Sequence, residues 1–241
     1  MIRASGLTKS FGSIHAVENA GFTAADGRIT ALLGPNGAGK STTLRILATV
    51  LRADAGEAWI DEHEVSADPM AVRRSIGVLP HAAGLYGRLT ARENIGYFGA
   101  LHGLSRATLR SRIEELVERL DMGDFAHRRV AGFSQGQRIK VALARALIHD
   151  PRNVMLDEPT NGLDIMATRA LREIILGLRA EGRCVLFCSH VMQEVASLCD
   201  DVVIVASGHV HFEGTLEALR AHTGQDGLEE AFIRIVAGAA A

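Results

Sequence analysis

An α/β domain built around a mostly parallel β-sheet, with a helical subdomain inserted into it, is the fold class that this sequence predicts. Three observations predict it. Apolar runs of strand length alternate with segments of helical periodicity, as in βα units. One such run, Ile29-Thr30-Ala31-Leu32-Leu33, leads into a glycine-rich turn and then into Leu44, Leu47 and Leu51 at helical spacing. From about Thr90 to His149, by contrast, helix follows helix with no convincing strand between them.

The elements can be justified in order. At 241 residues, 47% hydrophobic and 22% charged, the chain can bury one sizeable core and is too short for several independent ones. The helical stretch opens at Thr90, which has capping-box spacing to Glu93. Leu109, Ile113, Leu116, Val117 and Leu120 then mark one face of an amphipathic helix whose other face is Arg and Glu. Ser134 and Gln137 form a second capping box, after which Ile139, Ala142, Leu143, Ala146 and Leu147 repeat until Asp150-Pro151 stops the helix. Strands resume at Val154-Met155-Leu156, Val185-Leu186-Phe187 and Val202 to Val205. The expected domain thus covers residues 1–220, with a sheet core of about 1–86 and 150–220 and a helical subdomain of about 87–149. Residues 221–241 are expected to form a C-terminal tail, frayed from Gly238 to Ala241.

Composition excludes several classes of function. The 26 basic residues nearly cancel the 28 acidic ones, and a formal charge of −2 provides no positive field for coating nucleic acid. No stretch approaches the ~18 apolar residues of a membrane helix, and Met1-Ile2-Arg3-Ala4 does not open a secretory signal, so a cytoplasmic location is expected. The 3 cysteines suit a reducing compartment. Cys184 and Cys188 fall on one strand about 13 Å apart, too far to share a zinc ion. His209 and His211 alternate on one strand face and read as surface residues.

The chemistry begins at Gly34-Pro35-Asn36-Gly37-Ala38-Gly39-Lys40-Ser41-Thr42, which matches the phosphate-loop pattern G-x-x-x-x-G-K-[ST] between a strand and a helix. Glycines at 34, 37 and 39 let backbone N–H groups turn inward, and the following helix points its positive end at the same phosphates. Lys40 would reach the β and γ phosphates of a nucleotide, and Ser41 would ligate Mg²⁺. A neighbouring apolar strand ends in Asp157-Glu158. An Asp-Glu pair closing a strand is often a solvated turn; in a chain with a phosphate loop, Asp157 fits the Mg²⁺ side and Glu158 would polarise an attacking water.

Phe133-Ser134-Gln135-Gly136-Gln137, about twenty residues before that strand, resembles the signature motif of ABC ATPases. Asp157-Glu158-Pro159-Thr160-Asn161-Gly162-Leu163-Asp164 is similar to that family's acidic strand end running into its D-loop, and Ser189-His190 resembles its switch histidine. The match spans roughly residues 2–216, in the family's order. The resemblance implies a phosphate-loop ATPase fold with an added antiparallel β subdomain, ATP and Mg²⁺ as cofactors, and Glu158 and His190 as the catalytic pair. It also implies Phe11 stacked on adenine, with a core phenylalanine as the alternative, and Val17 beside the nucleotide. Ser134, Gln135, Gly136 and Gln137 would clamp, in trans, the nucleotide held by a second copy, with Asp164 in the D-loop between them. Physically, the Ser134 side chain, the Gly136 N–H and a helix positive end can meet a γ phosphate.

Two positions depart from the family pattern. Where relatives carry a glutamine that ligates Mg²⁺, this chain reads Pro80-His81-Ala82, and imidazole matches Mg²⁺ less well than an amide oxygen. Gln135 stands where the signature usually has glycine. Both bear on the rate of hydrolysis, and neither removes the base, the lysine or the clamp. Gly84-Leu85-Tyr86-Gly87-Arg88-Leu89-Thr90-Ala91-Arg92-Glu93-Asn94 with Tyr97-Phe98, and Gly227-Leu228-Glu229-Glu230-Ala231-Phe232, resemble exporter ATPases of the sodium-efflux and drug-efflux type. The expected partners are therefore a second ATPase subunit, as a homodimer, and separate integral membrane permease subunits, with the chain peripheral on the cytoplasmic face of the membrane. Two alternatives stand beside this reading: a soluble ABC ATPase acting on a non-membrane partner such as an iron-sulfur assembly scaffold, and a regulatory nucleotide binder with a decayed site, motivated by His81.

Overall fold

The computed structural model describes residues 1–82 and 84–238. Its strands are β1 (Ile2–Phe11), β2 (Ile14–Ala24), β3 (Ile29–Leu33), β4 (Ala55–Ile60), β5 (His63–Glu64), β6 (Ile76–Leu79), β7 (Asn153–Asp157), β8 (Cys184–Ser189), β9 (Asp201–Ala206) and β10 (His209–Thr215). The helices are α1 (Lys40–Leu47), α2 (Pro69–Ser75), α3 (Ala91–Leu101), α4 (Arg106–Arg119), α5 (Gln135–Leu147), α6 (Ile165–Ala180), α7 (Met192–Leu198), α8 (Leu216–Thr223) and α9 (Leu228–Gly238).

Two sheets form. The central one has the order β10-β9-β3-β8-β7-β6 and is parallel except for the β9–β10 pair. The other, β2-β1-β4-β5, is antiparallel throughout. Every residue of β3, β7 and β8 is buried, as parallel strands covered on both faces must be. Alternation then divides two apolar layers. Ile29, Ala31, Leu33, Val154, Leu156, Val185 and Phe187 face the helical side; Leu32, Met155, Leu186 and Cys188 face α1 and the antiparallel sheet. All three cysteines are buried, and burial pushes the Cys184 thiol up to about 12, which keeps it from forming the reactive thiolate.

The two capping boxes are present: Thr90 Oγ1 accepts from the Glu93 N–H at 3.2 Å while Glu93 Oε2 accepts from the Thr90 N–H at 2.7 Å, and Ser134 and Gln137 repeat the exchange. Two expectations are corrected. Leu51 does not continue the first helix, because α1 ends at Leu47 and Thr49, at φ 60, turns the chain away. Much of the segment expected as a tail is α9, whose Leu228 and Ala231 are buried and whose Phe232, Ile235 and Val236 pack on the core. That i, i+3, i+4, i+7, i+8 spacing was a signal in the sequence. The fraying expected beyond Gly238 lies outside the described residues.

Where the helical subdomain meets the sheet, the His102 and His149 rings stack with centroids 3.6 Å apart, and His149 Nε2 donates to the Ile76 carbonyl at 2.9 Å. Burial and then the neighbouring His102 pull His149 down to about 4. Above the ordinary histidine value of about 6.5, folded and unfolded chains both hold this ring neutral. Below it the unfolded chain takes a proton that the folded chain refuses, so stability falls, by roughly 2 kcal/mol between pH 7 and pH 5. Urea midpoints at those two pH values check this: the drop should be smaller in His149→Phe.

Candidate active site

The carboxyl ends of the three central strands converge, since the parallel register sets Leu33 beside Ser189 and Asp157 beside Cys188. Gly34, Glu158 and His190 therefore leave the sheet at one edge, the edge at which open α/β sheets bind ligands. The phosphate loop follows β3 and caps α1. Gly39, the N-cap, has φ 105, and a Cβ there would lie 2.3 Å from the Ala16 carbonyl oxygen. The loop is tied to its surroundings by a bond from the Gly208 N–H to the Ala38 carbonyl at 3.1 Å.

Lys40 is only 6% exposed, and its Nζ donates to the Gly34 carbonyl at 2.7 Å and the Pro35 carbonyl at 3.0 Å. An ammonium carries three donors, so one remains for a ligand. A cavity of about 160 Å³ opens between Asn36, Gly37, Gly39, Ser41 and Thr42 on the loop side and Glu158 opposite. Ser41 Oγ donates to Asp157 Oδ1 at 3.3 Å. These hard oxygens fit Mg²⁺. Mg²⁺ commonly takes one or two such protein oxygens and completes its shell with waters and substrate phosphates.

Glu158 has φ 49, a costly conformation for a non-glycine residue. Its N–H donates to the Cys188 carbonyl at 3.0 Å, and its two carboxylate oxygens face two imidazoles. His190 Nδ1 stands 3.0 Å from Oε1; because a carboxylate only accepts, Nδ1 carries the proton. His81 Nδ1 stands 3.8 Å from Oε2. The contact made by His81 is thus to the carboxylate at the position expected of the base, and not to Ser41 or Asp157.

The remaining expected residues divide. Phe11 is 47% exposed, with Lys9 Nζ 5.6 Å from its ring centroid, so it is not a core residue, and it lies outside the 160 Å³ cavity. Val17 is 1% exposed and packs beneath Gly39, which makes it a support for the loop and not a side chain facing the cavity. Ser134, Gln135, Gly136 and Gln137 begin α5 away from this cavity; the Ser134 hydroxyl accepts from the Gln137 N–H. Asp164 caps α6, its Oδ1 accepting from the Ala167 N–H at 2.8 Å. The signature residues do lie against the D-loop of their own chain: a Cβ at Gly162 would meet Gln135 Cγ at 3.7 Å, and one at Gly136 would meet Ala167 Cβ at 3.4 Å. Sequence reasoning missed Glu194, a buried carboxylate behind the site that accepts from Thr160 and Ser189. Nothing in its local pattern sets it apart from an ordinary helix residue.

The chain is also similar to known proteins along most of its length. A family model described as "ABC transporter" matches residues 17–161. The chain is 46% identical over 207 residues to the ABC transporter ATP-binding protein NatA of Bacillus subtilis, covering 86% of this chain and 84% of that protein. It is 37% identical to the daunorubicin resistance ATP-binding protein DrrA3 of Streptomyces coeruleorubidus, covering 95% and 72%. Among solved structures, an ATP-binding subunit of an ABC transporter superposes with a TM-score of 0.90 at 28% identity, covering 98% of this chain and 99% of that one. A dimeric ATP-binding cassette in a post-hydrolysis state with ADP and Pi superposes at 0.81 with 26% identity, covering 90% and 99%.

Proposed function

Since the chain belongs to the ABC transporter ATP-binding family, we propose that it energises a separate membrane permease for export, through closure and reopening of an ATP-bridged homodimer. The chain is an ATP hydrolase of that family. The observation that carries the reading is the meeting of Lys40, Ser41, Asp157, Glu158 and His190 at one sheet edge. The loop N–H groups and the positive end of α1 hold the phosphates, and the Lys40 ammonium adds the charge that binds the β and γ groups. Glu158 accepts a hydrogen bond from the attacking water, and His190 fixes the carboxylate's orientation. Ser41 and Asp157 would hold Mg²⁺, which when bound would neutralise phosphate charge.

Closure brings the α5 start of one copy, with Ser134 and Gly136, onto the γ phosphate held by the other copy's loop. Loss of that phosphate removes the bridge, so the dimer is a two-state switch. The exposed Ile165 and Met166, which follow Asp164 at 86% and 72% exposure, lie on the surface this closure covers.

The permease is assigned to the groove of about 720 Å³ that Met70, Arg73, Arg74, Phe98, Leu101 and Arg145 help to line. Arg145 lies 4.6 Å from the Phe98 ring centroid and donates to the Gly84 carbonyl at 3.2 Å; among the described residues it has no carboxylate partner. No described helix is long and apolar enough to cross a membrane, which fits a chain docked peripherally on the cytoplasmic face. Export is supported by the relative named for daunorubicin resistance. The iron-sulfur scaffold alternative finds no support in the relatives above.

Co-expressed with candidate multi-span permeases, the chain should enter the membrane fraction with its cognate one, and Arg145→Glu should weaken that association by about tenfold or more, because it sets a carboxylate where a cation stood. A chain that stays with a soluble partner would overturn the permease assignment.

A further inference from the structure

We propose that Glu194 is a positioning residue for ATP hydrolysis, bracing the segment that carries Glu158 against the segment that carries His190; the inference rests on the ATPase reading above. Glu194 lies in the first turn of α7 and is 7% exposed, and among the described residues no cation pairs with it. A buried carboxylate without a cation requires hydrogen-bond donors. One oxygen, Oε2, has two: Thr160 Oγ1 at 2.7 Å and Ser189 Oγ at 3.2 Å. The Ser189 hydroxyl also accepts the Val191 N–H at 3.0 Å, which ties the backbone on both sides of His190.

Glu158 needs this support. It holds φ 49 immediately before Pro159, and a strained residue persists where its surroundings over-determine it. On one side it is pinned by its N–H to the Cys188 carbonyl at 3.0 Å. On the other it is pinned two residues on, where Thr160 bonds to Glu194. Because the same carboxylate oxygen holds Ser189, the two side chains that meet at 3.0 Å, Glu158 and His190, share one brace. A displacement of the 158–164 loop, which lies beside the signature residues, is thereby passed to His190.

The test uses the purified full chain with Thr160→Val, Ser189→Ala, Glu194→Gln and Glu194→Leu, measuring kcat, KM for ATP, ATP-binding stoichiometry and Tm. Thr160→Val should lower kcat by about three- to tenfold, the size of one ordinary net hydrogen bond. KM should stay within about twofold, with full nucleotide stoichiometry, since the phosphate loop is untouched. Glu194→Gln keeps an acceptor oxygen and should retain kcat within about twofold. Adding Thr160→Val to Glu194→Leu should cost nothing further, because both remove the same link. A role in stability alone would lower Tm and leave kcat per bound ATP unchanged, which overturns the proposal, as would losses that add independently. Should Glu194→Leu fail to fold, the two hydroxyl variants decide the matter by the same kcat criterion. If the unaltered chain binds ATP with Mg²⁺ and releases no phosphate even with its permease, the ATPase reading itself falls, and the brace with it.

Discussion

Glu158→Gln is expected to lower kcat by about 10² to 10⁴, the usual share of a positioned general base, while ATP still binds. Glutamine keeps the volume and an oxygen for His190 Nδ1, now 3.0 Å from Oε1, so the fold and the phosphate loop should be undisturbed. What it loses is the negative charge that draws a proton from water. The second half of the expectation concerns assembly. A chain that binds ATP and cannot cleave it keeps the bridging γ phosphate, so the variant should run as a dimer by size-exclusion chromatography in ATP and as a monomer in ADP. A variant that remains monomeric in saturating ATP would remove the clamp from the mechanism, whatever its rate of hydrolysis.

The other large effect belongs to Gly39→Ala. The new Cβ would fall 2.3 Å from the Ala16 carbonyl oxygen, which is backbone and cannot swing aside, and the residue would have to hold φ 105. The loop must therefore move away from β2, taking its N–H groups and Lys40 off the phosphate positions. A displacement of this kind is expected to weaken ATP binding by about 100-fold or more and to cost roughly 1–3 kcal/mol of stability from backbone strain. Gly37→Ala is the control. Gly37 also has positive φ, at 82, but nothing lies within 4 Å of its Cβ position, so its effect should be confined to strain. Fluorescent-nucleotide titration of both variants separates the clash from the strain, and equal losses would refute the clash argument.

The site divides by how far apart its parts lie in the chain. Gly34 to Ser41 is contiguous, and the capping bonds of Thr90 and Ser134 span three residues, so residue type and spacing already fix their geometry. The same holds for the central strands, whose apolar runs declare burial on both faces. The chemistry of His81 could be judged from its ring. Its actual neighbour could not, because the approach to Glu158 at 3.8 Å depends on where β6 and β7 leave the sheet. Val17 is the reverse case: its place at the nucleotide end of the fold follows from the resemblance, and its burial beneath Gly39 is visible only in the structure.

By itself, then, the sequence determined the α/β class, the phosphate loop, the carboxylate pair after an apolar strand and the order of motifs that marks the family, because each is written within one element or one turn. Only the tertiary structure decided that Glu158 takes φ 49, that both its oxygens face imidazoles, and that Glu194 meets Thr160 from 34 residues away. The physical reason is that strand register and helix packing bring distant side chains together, and spacing along the chain carries no distance information once the chain has crossed from one strand to the next.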